Sequence, residues 1–152
     1  MGRGARARVS LSAKTARGAE AATVEAMYHM ALSGEWLKVL RLASTYGERI
    51  ISKGYVERFA SVLELVEASE PETTHEYKGI SYLLKGEVQM VMGRWDRALA
   101  ELKKAAALAE AEKKELMSAR ANLMIGSIET RRGGRDQALT RLQKALKIAS
   151  GL

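Results

Sequence analysis

Apolar residues recur at spacings of three and four in seven successive stretches of the chain from residue 20 onward. The first stretch carries Val24, Met27 and Ala31, and the last carries Ala138 and Ala145 at a spacing of seven. This spacing indicates amphipathic helices, whereas a half-buried strand would alternate every second residue. The pattern therefore predicts seven helices. Glycines interrupt most of the stretches, but residues 110–114 lack a strong helix breaker, so the turn there is the least marked.

Three pairs of glycines repeat along the chain, and the two members of each pair are seven positions apart. The pairs are Gly47/Gly54, Gly86/Gly93 and Gly126/Gly133. They recur with a nearly fixed period of about 40 residues, which is typical of stacked helical units. A glycine inside a helix costs about 1 kcal/mol relative to alanine, so we expect each first glycine to let a neighbouring helix approach closely. Each second glycine is expected to end its helix.

The glycines and the small residues that follow them resemble the pattern of the tetratricopeptide repeat family. In that family a small residue lies within helix A, a glycine at the turn, an aromatic residue just after it, and alanines on helix B. The first unit matches less well, but Pro71 falls where the family closes a repeat. The residues that carry the resemblance are Gly47, Gly54, Gly86, Gly93, Trp95, Ala98, Ala105, Gly126, Gly133, Ala138 and Ala145.

The resemblance implies an all-α fold, a right-handed α-solenoid of antiparallel helix hairpins with seven helices. The period of about 40 residues looks like the longer-helix variety of the family. We expect a basic flexible tail over residues 1–18 and a single helical domain over 19–152. Within that domain we expect a cap helix at 20–33 and repeats at about 35–70, 73–111 and 113–150.

A second register is open for the first repeat. Ser33-Gly34-Glu35-Trp36 resembles Met92-Gly93-Arg94-Trp95, so residues 20–53 could form the first hairpin. That pairing would leave the helix at 55–69 without a partner. Counting back from the last unit instead pairs 35–53 with 55–69, and Pro71 agrees with this register, which we favour.

The composition offers few residues for catalysis or metal binding. The chain has no cysteine, which rules out a disulfide framework and cysteine-ligated metals. Its two histidines, His29 and His75, have no cysteine or second histidine at ligand spacing. No apolar run approaches the roughly 20 residues that span a bilayer. We therefore expect a cytoplasmic protein that is not an enzyme, with no cofactor and no membrane contact.

The net charge of +7 is concentrated at the two ends of the chain. Residues 1–18 carry five basic and no acidic side chains, and residues 120–152 carry seven basic and two acidic ones. Basic ends of this kind attract polyanions such as nucleic acid. The candidate basic patch comprises Arg3, Arg6, Arg8, Lys14, Arg17, Arg132, Arg135 and Arg141.

Members of the resembled family bind partners on the concave surface that their A helices line. Carrying those positions over to this sequence implies a groove whose apolar middle includes an acidic residue and whose end is basic. The candidate residues are Arg41, Glu48, Ile51, Leu83, Glu87, Met90, Leu123, Ser127 and Arg131. The resemblance thus implies a protein-interaction adaptor that holds a peptide or helix in this groove. The alternative is a nucleic-acid- or ribosome-associated protein that uses the basic tail and the basic last repeat.

The last helix suggests a further contact surface. Repeat stacks usually cover their final apolar face with a polar cap, yet Leu139, Leu146 and Ile148 lie on the last predicted helix. We therefore expect an open edge there, which could pair with a second copy of the chain or with another partner.

Overall fold

The computed structural model describes residues 18–69 and 76–151. This described part consists of α-helices joined by short turns, with no β-strand, so the all-α prediction is confirmed. The seven helices are α1 (described over 18–32), α2 (Trp36–Ser52), α3 (Val56–Ser69), α4 (Lys78–Val91), α5 (Trp95–Ala111), α6 (Glu115–Arg131) and α7 (Arg135–Ser150). The predicted tail, except its last residue, and Pro71 lie outside the described residues.

The chain divides into two compact units, residues 1–69 and residues 70–152. The described part of the first unit holds α1, α2 and α3, and that of the second holds α4 to α7. The division falls in the stretch that contains Pro71, a residue that stops helices because it lacks an amide hydrogen. That residues 19–152 form a single domain stays a prediction.

The first unit has its own core of apolar side chains. Met27 of α1, Leu40 of α2 and Phe59 of α3 are all fully buried. Helix α2 packs against α3, and α3 also contacts α1, because the guanidinium of Arg58 lies 2.7 Å from a carboxylate oxygen of Glu25. Since α3 contacts both of its predecessors, the choice between the two registers of the first repeat stays a prediction.

The second unit is a pair of helix hairpins. Each of its helices packs against the next one along the chain, and α4 also packs against α6. The hairpin α4–α5 therefore lies beside the hairpin α6–α7. Their shared core is fully buried and consists of Leu83, Ala98, Leu102, Ala105, Ala121, Ile125 and Ile128. Burying one leucine of this kind contributes about 1.5–3 kcal/mol relative to leaving it exposed.

Two of the repeated glycines lie at helix–helix seams, as predicted. A Cβ atom on Gly86 of α4 would lie 2.6 Å from the side chain of Leu102 on α5. A Cβ atom on Gly126 of α6 would lie 3.0 Å from the side chain of Leu142 on α7. The same close approach thus occurs in two successive repeats. Gly47 is buried in α2. The alanines expected on the partner helices are buried too: Ala98, Ala105, Ala138 and Ala145.

Five of the turns between helices share one backbone conformation. In the turn after α4, the Arg94 amide donates to the Gln89 carbonyl oxygen at 2.8 Å, and Gly93 has a φ of +77°. The turn after α5 repeats this hydrogen bond, from Lys114 to Ala109 at 2.8 Å, but places Lys113 at a φ of +57°. The left-handed region costs a residue with a side chain about 1–2 kcal/mol. The turn that the sequence marks least is therefore an ordinary repeat turn built without glycine.

Candidate protein-binding site

The structure separates the nine predicted groove residues into buried and accessible ones. Leu83 and Ile51 are buried, so the prediction that their side chains line an open surface is wrong for these two. Leu83 belongs instead to the core between the helices of the second unit. Arg41 and Glu48 are exposed on α2, and that they belong to a groove stays a prediction. The other five lie on α4 and α6, namely Glu87, Met90, Leu123, Ser127 and Arg131.

Three of those five residues come together in a cleft of the second unit. Met90 of α4 meets Ser127 and Arg131 of α6 around a cavity of about 380 Å³. We call this cavity the α4–α6 cleft; its remaining lining residues are Val91, Gly93, Trp95 and Ile128. A volume above about 300 Å³ is in the range of ligand-binding clefts. The cleft is large enough to take one or two side chains of a partner.

The α4–α6 cleft combines apolar walls with one cation. The guanidinium of Arg131 lies 5.5 Å from the ring centroid of Trp95, within the distance of a cation–π contact. Trp95 is the first residue of α5, where the turn after Gly93 places it beside the end of α6. Met90, Val91 and Trp95 offer the apolar surface. The arrangement suits a partner group that is apolar and carries a carboxylate next to it.

The acidic residue predicted in the groove is compensated by a basic one. Glu87 of α4 faces Arg120 of α6, with 3.8 Å between a carboxylate oxygen and a guanidinium nitrogen. Both side chains are largely shielded from solvent, so their attraction is screened less than it would be at an open surface. This ion pair joins the two helices that form the cleft. The net charge near the cleft therefore comes from Arg131.

The described members of the basic patch are mostly engaged with acidic or polar groups. Arg132 lies 2.7 Å from a carboxylate oxygen of Asp96. Arg141 donates to Glu129 at 3.0 Å; Arg135 is exposed. The other five members are outside the described residues: Arg3, Arg6, Arg8, Lys14 and Arg17. Nucleic-acid binding by this patch stays a prediction.

A polar cluster that was not predicted from the sequence lies at the seam between α6 and α7. Asn122 is buried, and its amide donates to the Ser118 carbonyl oxygen at 2.8 Å. Its own oxygen accepts a hydrogen bond from Arg141 at 3.4 Å. Arg141 reaches the same seam as Glu129, so four polar side chains meet beside an apolar core. An asparagine inside an apolar stripe was the sequence signal for this cluster.

Within residues 18–69 and 76–151 no group of histidine, cysteine, aspartate or glutamate side chains could hold a metal ion. His29 is exposed and lies edge-on to Tyr28 at 6.0 Å between ring centroids, and His75 is outside the described residues. The hydrogen bond that the Arg58 guanidinium donates to the Glu25 carboxylate raises the pKa of this guanidinium above its ordinary value, so this arginine stays charged throughout the neutral pH range. None of the described helices is long and apolar enough to span a membrane.

A comparison with protein families identifies the second unit. The family model of the tetratricopeptide repeat matches residues 77–150, which include all of α4 to α7. No curated protein and no solved structure gives a significant match to the chain. Tetratricopeptide repeats generally mediate contacts between proteins. The glycine seams, the repeated turns and this match agree: residues 77–150 of the chain are tetratricopeptide repeats.

Proposed function

We propose that this protein is a non-enzymatic adaptor that binds a peptide or helix of a partner in the α4–α6 cleft. The observation that carries the proposal is the pairing of Trp95 with Arg131 in a cavity lined by Met90 and Val91. Protein–protein contact is the general role of the family. The lining of the cleft suits a partner that contributes an apolar anchor side chain beside a carboxylate.

The apolar anchor would supply most of the binding free energy. Fully burying a leucine- or phenylalanine-sized side chain gains about 1.5–3 kcal/mol, and central aromatic or apolar anchors dominate most interfaces. Arg131 would supply orientation, because a guanidinium matches a carboxylate with two parallel hydrogen bonds. The contact with Trp95 limits the positions of Arg131 before a ligand arrives, which reduces the entropy that binding must remove.

A peptide array tests this proposal. The array would hold short peptides of equal length in which one leucine or phenylalanine is followed by aspartate, by asparagine or by lysine. We expect the full chain to retain the aspartate peptides best and the lysine peptides least. The strongest peptide would then be titrated by fluorescence anisotropy against the wild type and against Arg131→Glu and Val91→Asp variants. Each variant should weaken binding at least tenfold.

A matched control is Arg49→Glu, which makes the same charge change on an exposed arginine of α2 in the other unit. This variant should bind the peptide like the wild type. If the array shows no preference for aspartate peptides, or if Arg131→Glu binds them as tightly as the wild type, the cleft is not the binding site.

A further inference from the structure

Four large apolar side chains are exposed on the outer face of the last hairpin. Leu123 is 56% exposed on α6, and Leu139 and Leu146 on α7 are 56% and 70% exposed. Leu116 lies on the same side of α6 as Leu123, two helical turns earlier, and is also exposed. We call these four leucines the open α6–α7 face. Contiguous exposed apolar patches commonly mark interaction sites.

A comparison of the two hairpins shows that the open α6–α7 face corresponds to a helix-packing surface of α4–α5. The contact of Gly86 with Leu102 recurs one repeat later between Gly126 and Leu142, so the hairpins α4–α5 and α6–α7 share one geometry. A shift by the spacing between these two glycines carries Leu123 back to Leu83. That leucine is fully buried in the core that includes the α6 residues Ala121, Ile125 and Ile128.

The same shift carries Leu139 to Leu99 and Leu146 to Ala106, and both of these residues pack against that core. Three of the four exposed leucines therefore occupy positions at which the preceding hairpin packs against α6. Within residues 76–151 no further helix covers them. The open α6–α7 face thus has the geometry of a surface on which one more helix can pack, in the way that α6 packs on α4–α5. We call such a helix-packing surface a seat.

The charges around this seat differ from those around the seat of α6. On the preceding hairpin, Glu87 faces Arg120 and Asp96 faces Arg132, while Trp95 contacts Arg131; all three arginines lie on or directly after α6. One repeat later the receiving positions hold Ser127, Asp136 and Arg135. Ser127 thus replaces the carboxylate of Glu87, and the cationic Arg135 replaces the ring of Trp95.

Helix α7 as a whole has shifted in the same direction. Helix α5 carries three basic and three acidic side chains, whereas α7 carries four basic and one acidic. A helix that presents arginines where α6 presents Arg120 and Arg131 is thus disfavoured on the open face. Pairing of two open faces from two copies would place two α7 helices at one interface, each with four basic side chains and one acidic side chain, and like charges across an interface oppose association.

We infer that the open α6–α7 face binds an acidic amphipathic helix of another protein. The apolar stripe of that helix would cover Leu123, Leu139 and Leu146. An acidic side chain would stand opposite Arg135, where α6 itself presents Arg131 to Trp95. This surface is distinct from the α4–α6 cleft, so the adaptor would hold two partners, or two segments of one partner, at the same time.

A pair of peptides that differ at one position tests the inference. The first peptide has the sequence of residues 115–131, and the second carries Arg131→Glu; both are capped at their ends and fluorescently labelled. Fluorescence anisotropy with the full chain should give at least threefold tighter binding for the glutamate peptide. In a chain with Arg135→Glu the preference should reverse, because the opposing charge has been reversed.

Serine substitutions test the apolar part of the seat. Leu139→Ser and Leu146→Ser should each weaken binding of both peptides at least tenfold, while Leu32→Ser, which changes an exposed leucine of the first unit, should have no effect. Thermal melts followed by circular dichroism confirm that each variant is folded. These leucine variants should leave the cleft peptides of the array bound as before, so the two binding surfaces are tested separately.

Two results would overturn the inference. One is equal binding of both peptides to the wild type and to the Arg135→Glu chain. The other is a wild-type dimer in analytical ultracentrifugation that Leu146→Ser converts to a monomer, because a second copy would then occupy the open face.

Discussion

The left-handed lysine in the turn after α5 shows where this chain departs from its own pattern. Lys113 has a φ of +57°, and the corresponding residues of the other repeat turns are glycines. Replacing it by glycine should stabilise the fold by about 1–2 kcal/mol, because the backbone strain is removed. The greater freedom of the unfolded chain should destabilise the fold by about 0.4–1 kcal/mol. We predict that Lys113→Gly raises the free energy of unfolding by about 0.5–1 kcal/mol, as measured by urea denaturation followed by circular dichroism.

A glycine substitution elsewhere provides the control for that variant. Lys103→Gly changes an exposed lysine inside α5 and should lower stability by about 1 kcal/mol, since glycine is a poor helix former. If both variants are destabilised equally, the turn after α5 does not adopt the left-handed conformation.

The seam glycines yield a second prediction at the residue scale. Gly86→Ala places a Cβ 2.6 Å from the side chain of Leu102 and 3.3 Å from its backbone nitrogen. The crowding costs about 1–3 kcal/mol and outweighs the gain of about 1 kcal/mol in helix propensity. We predict a net loss of about 1 kcal/mol, and a smaller loss for Gly126→Ala, where the nearest atoms are 3.0 Å away. Urea denaturation of the two variants checks the order of their stability losses. Gly18→Ala is the control, because a Cβ atom at that position meets nothing within 4 Å.

At the scale of the helices, the seam between α6 and α7 depends on one arginine. The Arg141 guanidinium is hydrogen-bonded to Glu129 and to Asn122, and the side chain of Glu129 is only 11% exposed. Arg141→Ala would leave this carboxylate shielded from water without its cation, which costs about 1–3 kcal/mol for a group of this kind. We predict a loss of that size in urea denaturation.

An exposed ion pair serves as the comparison. Lys38 and Glu35 are 3.0 Å apart on the surface of the first unit, and such pairs contribute about 0.2–1 kcal/mol. Lys38→Ala should therefore change stability less than Arg141→Ala does. Equal effects of the two variants would show that Arg141 does not hold α6 and α7 together.

The helices and seams were predictable from the sequence to different degrees. The glycine period located the contacts of Gly86 and Gly126 because a missing side chain inside a helix has few explanations other than close packing. The burial of Leu83 was not predictable, since Leu123 occupies the same repeat position and is exposed. The difference arises from whether a following helix covers the position, which a local pattern does not contain. The place of Trp95 in the α4–α6 cleft was not predictable for a similar reason, because Trp95 marks a turn in the sequence and reaches Arg131 only through tertiary packing.

At the scale of the whole molecule, the second unit has a core and a family match of its own. Helices α4, α5 and α6 share one core, α7 packs against α6, and the family match begins at residue 77, close to the start of the unit. Contacts in such stacks are made between neighbouring elements, so a part that retains its neighbours retains its stability. We predict that a fragment of residues 70–152 folds alone, with a helical circular dichroism spectrum and a cooperative thermal transition.

A shorter fragment, which lacks the first helix of the second unit, provides the comparison for this prediction. A fragment that begins at residue 92 removes α4 and exposes the core residues Leu102 and Ala105, which pack against it. It should lose cooperative unfolding, although it is only about one helix and a short linker shorter. If both fragments melt alike, the core between α4 and α6 does not stabilise the unit. If the longer fragment is unfolded while the full chain is folded, the first unit is required for the stability of the second, and the proposed adaptor is one cooperative stack.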